Sequence, residues 1–382
     1  MDLELSPAQQ ALAAELRAYF RDLMSTAERA ATLTDRHGAA YRALVRRMGR
    51  DGWLGVGWPT EYGGRGFGPV EQQIFVNEAA RADVPLPYVT LQTVGPTLQT
   101  YGTQAQKDFF LPRILAGELH FAIGYTEPSA GTDLASLRTT AVRDGSTYVV
   151  NGQKTFTTGA HDADYIWLAC RTDQEAPRHK GISILIVDTR DPGFTWTPII
   201  TCDGAHHVNA TYYTDVRVPA DMLVGTENAG WRLITTQLNH ERVMLGPAGR
   251  LAALYERVRD WAAARDLLSE PDVRRALGKA RAHVRVNELL NWQVAAAGAD
   301  VSIADASATK VFSSDRAQWL GRALEEVVAV HGDPADPATG RLLRWLDVQA
   351  KRNLVLTFGG GVNEVQRELI ATAGLGLPRV PR

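Results

Sequence analysis

The feature that most constrains this chain is a change of texture in its middle. Up to residue 118 the apolar residues recur at helical spacing, as in Leu5, Leu12, Leu16, Phe20 and Leu23. Ser6-Pro7 supplies an N-cap and a first-turn proline for the first of these helices. Further helical patterns cover 39–51, 69–83, 90–101 and 103–116. Between Phe121 and Pro219 the pattern becomes β-branched and aromatic, in runs at 165–172, 182–188 and 210–218. Two more such runs flank Asn151-Gly152, which reads as a hairpin turn. From residue 228 the helical period returns, predicting four long helices over 229–265, 271–297, 303–331 and 339–356, then a short one over Asn363–Thr372.

Helices, then strands, then helices is an α+β order, without the βαβ alternation of a dinucleotide-binding sheet. The expected domains are 1–118 (all-α), 119–226 (a β-barrel or sandwich) and 227–382 (a four-helix bundle). Lys and Arg number 41 against 43 Asp and Glu, so the formal charge of -2 removes the electrostatic case for a nucleic-acid partner. At 45% hydrophobic residues a disordered chain is excluded as well. Two cysteines, Cys170 and Cys202, cannot make a disulfide framework or a Cys-rich metal site, and no metal is expected. Asp2, Glu4 and Glu15 argue against a signal peptide, and the longest apolar stretch, around Ile182–Val187, is far short of the ~20 residues of a spanning helix. A cytoplasmic protein with no membrane association is the expectation.

The densest group of special residues is Gly124-Tyr-Thr-Glu-Pro-Ser-Ala-Gly-Thr-Asp133. Backbone amides freed by Gly131, with the hydroxyls of Thr126 and Thr132, could hold the polar edge of a ring or a phosphate. An Asx/Thr-rich turn entering the β domain explains the same residues equally simply.

Here the sequence resembles a known family. Thr126-Glu127-Pro128, Gly131-Thr132-Asp133 and Phe156-Thr157-Thr158 are similar to the flavin-surrounding motifs of the acyl-CoA dehydrogenases. Gly57-Trp-Pro-Thr-Glu-Tyr-Gly-Gly64, Asp215-Val-Arg-Val-Pro219 and Leu375-Gly-Leu-Pro-Arg379 extend the likeness along nearly the whole chain. The resemblance implies an N-terminal helical domain, a middle β domain, a C-terminal helical bundle and FAD as cofactor. It implies that Tyr125 and Thr126 contact the flavin's pyrimidine edge, that Thr158 bonds near N5, and that Phe156 packs on the ring where many relatives have Trp. Phe cannot donate an indole N–H, so only stacking survives there. Core packing is the plain alternative for Phe156. Thr132 is placed at the CoA pantetheine or the flavin diphosphate, and Arg242 at the substrate.

Two departures from the family pattern matter more. Most relatives carry the catalytic base as a Glu in a C-terminal Tyr-Glu-Gly-Thr motif, and Gly360, within Phe358-Gly-Gly-Gly361, stands at that position here. A minority carries the base on the first long C-terminal helix, directly before an Arg, where this chain has Glu241-Arg242. Its i±3 and i±4 neighbours, Gln237, Leu238, Met244 and Leu245, include no cation, so Glu241 is expected to be desolvated and to act as base; a solvated helix Glu is the alternative. His240 reads as a polar neighbour. Gly360 keeps the backbone N–H that relatives use to polarise the thioester. The second departure is at the far end of FAD. The family's Arg-x-x-Phe-Gly and Gln-x-x-Gly-Gly-x-Gly read Trp261-Ala-Ala-Ala-Arg-Asp-Leu-Leu and Val327-Val-Ala-Val-His-Gly-Asp-Pro334.

These departures resemble the actinobacterial steroid side-chain acyl-CoA dehydrogenases, α2β2 assemblies of two paralogous chains. That likeness implies dehydrogenation of a CoA ester with a short branched C17 side chain, in steroid or cholesterol catabolism. The implied partners are the acyl-CoA, a paralogous subunit and electron-transfer flavoprotein. The rival readings are an acyl-CoA oxidase on the same fold and a non-catalytic subunit that completes a paralogue's FAD site.

Overall fold

The computed structural model describes residues 4–244 and 246–379, the side chains of 238–244 and of residue 299 excepted. Six helices come first: α1 (Pro7–Asp22), α2 (Thr26–Thr34), α3 (Gly38–Arg50), α4 (Pro69–Arg81), α5 (Gly95–Tyr101) and α6 (Gln104–Leu115). Eight strands follow: β1 (Phe121–Gly124), β2 (Thr140–Asp144), β3 (Thr147–Thr158), β4 (Tyr165–Arg171), β5 (Ile182–Asp188), β6 (Phe194–Ile200), β7 (His206–Pro219) and β8 (Leu223–Val224). The chain closes with α7 (Gly230–Met244), α8 (Ala248–Ala263), α9 (Pro271–Ala297), α10 (Ile303–His331), α11 (Pro337–Asn353) and α12 (Asn363–Leu369). The fold is α+β as expected. Among the described residues no helix is long and apolar enough to cross a membrane.

The chain forms two compact units. One comprises Met1–Arg29, Phe67–Pro85 and Glu241–Arg382; the other comprises Ala30–Gly66 and Leu86–His240. In the first, Ser6 caps α1 through a capping box with Gln9, and Leu12, Leu16 and Phe20 make the buried stripe that packs on α4. Arg17 forks onto the Glu78 carboxylate of α4 at 2.9 and 2.7 Å. Helix α10 packs on α8, α9, α11 and α12, burying Ala317, Leu320, Leu324 and Val328. The single helix expected over 229–265 is two, α7 and α8, because Pro247 has no N–H to continue the helical ladder.

The second unit is built on a mixed sheet in the order β6-β7-β3-β2-β4-β5-β8, with β1 parallel to β4 off that path. One parallel pair, Thr140↔Arg171, joins β2 to β4. Its core gathers Tyr148, Val150, Ile166, Leu168, Leu185, Val187 and Val216. The hairpin expected at Asn151-Gly152 is not there: β3 runs unbroken through both residues, and the turn lies at Gly145, between β2 and β3. Asn151 instead donates from Nδ2 to Asp215 Oδ1 of β7 at 3.0 Å and accepts at Oδ1 from the Asp215 N–H at 2.9 Å, where the register shifts. Gly152 is needed there because a Cβ would stand 2.6 Å from the Thr139 hydroxyl. The Asn-Gly pair is not a turn but faces a bulge in β7, whose Thr214 and Asp215 together oppose Asn151.

Candidate active site

Chemistry-bearing residues collect in two places, one in each unit. In the sheet unit the segment after β1 carries Tyr125, Thr126 and Glu127 and reaches β2 through Thr139. Glu127 is buried, and its carboxylate accepts from Arg138 N (2.7 Å), Thr139 N (2.8 Å) and Lys154 Nζ (2.8 Å). Lys154 is fully enclosed and also donates to Tyr125 O at 3.0 Å. Burial works against the carboxylate, yet the Lys154 charge with the bonds from Lys154 and Thr139 outweighs it and holds Glu127 below the ordinary value. This pair, 27 residues apart in sequence, pins the loop to β3. Sequence reasoning missed it; the only signal was a lysine inside a β-rich run.

Beyond Lys154 the strand bulges. Lys154 pairs with Thr211 and Thr157 with Asn209, so Thr155 and Phe156 together oppose one residue of β7. Phe156 has a φ of +57° and is 62% exposed, which rules out core packing as the reason for an aromatic residue there. A bulky side chain in the left-handed region is rare and persists only where its surroundings enforce it. Thr155 N donates to Thr126 O at 2.8 Å, and Asn209 Nδ2 to Thr157 O at 3.1 Å, fixing both flanks.

Around the bulge, Thr126 is half-buried, and Gly131, Thr132 and Thr158 are exposed. Among the described residues the hydroxyls of Thr126, Thr132 and Thr158 have no hydrogen-bond partner. An exposed ring on a constrained bulge with three available hydroxyls fits the edge and face of a planar heteroaromatic cofactor such as the FAD isoalloxazine. At Gly131 a Cβ would meet only Thr126 Cγ2, at 3.8 Å. The Tyr125 phenol is turned inward, where it bonds to the Gln237 carboxamide and accepts from Trp167 Nε1 at 3.2 Å.

In the helical unit the second place is the loop Phe358–Gly361. The N–H groups of Phe358 and Gly359 both donate to Val355 O at 2.9 Å, while the Gly360 N–H has no backbone acceptor among the described residues. Gly360 and Gly361 have φ of +66° and +92°, a conformation that disfavours any side chain. Under the loop, Lys310 of α10 is buried and donates to Gly361 O (2.8 Å), Asn363 Oδ1 (2.7 Å) and Thr357 O (3.4 Å). Asn363 in turn donates to Ser314 Oγ at 2.9 Å and Asp315 Oδ1 at 3.0 Å. Lys310 was not found from the sequence, since nothing local marks it among the polar positions of α10.

The backbone at Glu241 and Arg242 belongs to α7, but their side chains, like that of His240, lie outside the described residues. In the altered motif after α8, Arg265 bonds to Asp336 Oδ2 and lies 4.9 Å from the Trp261 ring centroid. Trp261 Nε1 donates to Thr339 Oγ1 at 3.0 Å, so both residues are engaged within their own unit.

Three family models match the chain: the acyl-CoA dehydrogenase N-terminal domain over 6–118, the middle domain over 122–216 and the C-terminal domain over 228–375. Acyl-CoA dehydrogenase FadE29 of Mycobacterium tuberculosis is 70% identical over 387 residues, covering 100% of both chains. The solved structure of the Tcur3481-Tcur3483 steroid ACAD matches with a TM-score of 0.94 and 49% identity, covering 100% of both chains. The ChsE4-ChsE5 complex from Mycobacterium tuberculosis matches with a TM-score of 0.91 and 48% identity, again over 100% of both chains.

Proposed function

Because the chain belongs to the acyl-CoA dehydrogenase family of FAD-dependent oxidoreductases, we propose that it dehydrogenates the Cα–Cβ bond of an acyl-CoA thioester with Glu241 as the base. The observation that carries this reading is Gly360: the usual base position has no side chain, and its left-handed backbone disfavours one. Glu241 takes the α-proton. FAD, when bound, accepts the hydride that leaves Cβ. The α-proton is acidic enough only if negative charge on the thioester oxygen is met by donors already in position. The Gly360 N–H serves there, so the loop keeps its electrostatic role without a carboxylate.

On the sheet unit, Phe156 would cover the flavin ring, Thr126 and the backbone of Tyr125 would border its pyrimidine edge with Gly131 beside them, and Thr158 would donate near N5. Thr132 would touch the CoA pantetheine or the flavin diphosphate, and Arg242 the substrate. The domains are taken as 1–118, 119–226 and 227–382, and the reaction as cytoplasmic.

The substrate we propose is the CoA ester of a short branched steroid side chain. Support comes from the likeness to a structure named as a steroid ACAD. We propose further that the enzyme is an α2β2 assembly with a paralogous chain and passes electrons to electron-transfer flavoprotein. Two of the matching structures are named for two chains each, and Arg265 is bonded to Asp336 rather than offered outward.

The test is Glu241→Gln in the enzyme purified with its paralogue. Turnover falls by roughly 10³-fold, within the range for losing a general base, while bound FAD is unchanged. Wild-type turnover in that variant overturns the assignment.

A further inference from the structure

A loop of three successive glycines, Gly359–Gly361, has no side chains to hold its shape. Yet the reading above requires one N–H of this loop, that of Gly360, to meet the thioester oxygen within hydrogen-bond tolerance. The grip comes from below. The Lys310 ammonium bonds to Thr357 O, just before Phe358, and to Gly361 O, at the far end of the glycines, so one group ties both ends of the loop. Its third partner, Asn363 Oδ1, is fixed by α10 through Ser314 and Asp315 and opens α12. On the other side Gly361 lies against Gln366, where a Cβ would stand 2.6 Å from Nε2. Lys310 is 2% exposed, so its charge is shielded from water and screened little by salt.

We infer that Lys310 is a positioning residue for the reaction, holding the Gly360 N–H where the thioester oxygen develops negative charge. This role rests on the function proposed above, yet its test is separable from that of the base. A lysine that only braced the helices would affect stability and leave the bound carbonyl unchanged. A lysine that sets the loop changes the polarisation of that carbonyl.

The experiment uses the enzyme assembled with its paralogue and carrying FAD. Lys310→Met, of similar length and without donors, is compared with Asn363→Asp, which sets a carboxylate beside the ammonium and draws it from Gly361 O. The thioester C=O stretch of a bound acyl-CoA analogue lacking a Cβ hydrogen is read by infrared difference spectroscopy, together with kcat and KM. In Lys310→Met the stretch returns toward its solution position and kcat falls by roughly 10-fold or more with KM little changed, as for a displaced oxyanion donor. Asn363→Asp moves both readouts in the same direction by less, and it decides the matter alone if Lys310→Met gives no soluble protein. An unshifted carbonyl with wild-type kcat in the FAD-loaded variants overturns the inference. Glu241→Gln is run alongside: it loses turnover and keeps the wild-type stretch. Activity there breaks the base assignment and leaves the Lys310 result to stand or fall by itself.

Discussion

The Phe156 bulge and the Gly359–Gly361 loop both hold backbone in left-handed conformations, by opposite means. At the bulge an aromatic side chain is forced into that region, and a buried ion pair, Glu127–Lys154, keeps the neighbouring strand and loop together. At the loop no side chain exists to be forced, and a buried ammonium bonds three neutral oxygens, two of them main-chain carbonyls. A surface that must present a ring and hydroxyls accepts strain to aim them. A loop that must present an N–H does better with nothing attached.

The contrast breaks hardest at Lys154. Replacing it by Met leaves the Glu127 carboxylate buried and uncompensated, which should cost about 3–5 kcal/mol. Thermal unfolding should register this as a large drop in Tm, partly recovered in Lys154→Met/Glu127→Gln. A Tm close to wild type in the single variant would show that the pair is not what pins the loop.

Acid should weaken the sheet unit next. His37 packs against His161 and His207, with ring centroids 5.0 and 6.1 Å apart, and Gly159, just past the bulge, lies against His37. Burial, then the charges of His161 and His207, pushes His37 from 6.5 down to about 4. Burial and the charge of Arg42 bring His120 down to about 4 as well. Both stay neutral in the fold while the unfolded chain binds protons below pH 6.5, so stability is lost as pH falls from 6.5 toward 4 and is unaffected by them above. The loss should be roughly 2 kcal/mol for each histidine, about 4 kcal/mol for the two together, read by urea unfolding at about pH 7 and about pH 5. A flat profile would contradict the neutral cluster.

Gly360→Ala is a smaller perturbation. A Cβ at a φ of +66° should cost roughly 1–2 kcal/mol. Gly360→Glu adds a second carboxylate near the substrate carbon, and reduced activity is expected, with partial rescue when it is combined with Glu241→Gln. Unimpaired activity in the single Gly360→Glu variant would refute the shared pocket.

Phe156→Gly should have the least effect on the apoprotein. Relief of backbone strain is worth about 1 kcal/mol and offsets the loss of a mostly exposed ring, so Tm hardly moves while FAD affinity falls. A marked fall in Tm would mean that the ring is structural after all.

Local signals carried much of the fold. Ser6-Pro7 opens α1, and the helices at 271–297 and 303–331 begin and end where their periodicity does. The failures were also local in appearance. Asn151-Gly152 has the chemistry of a turn, but its partner, Asp215, is 64 residues away, and pairing across β3 and β7 decided the outcome. At the candidate site, motif likeness pointed to Phe156 and Gly360, whereas the bonds that hold them, Lys154 to Glu127 and Lys310 to Gly361, span 27 and 51 residues. No spacing rule pairs residues so far apart. That Phe156 is exposed on a constrained bulge could be read only once β7 was in register beside it.

The most direct test of Glu241 as the base, with Gly360 a donor only, is α-proton exchange. The assembled enzyme is incubated in D2O with an acyl-CoA that lacks a Cβ hydrogen, so that proton abstraction occurs without oxidation, and deuterium at Cα is followed by mass spectrometry. Wild-type enzyme should wash in deuterium, Glu241→Gln should not, and Gly360→Ala should slow the exchange without abolishing it. Exchange at the wild-type rate in Glu241→Gln would contradict the assignment outright.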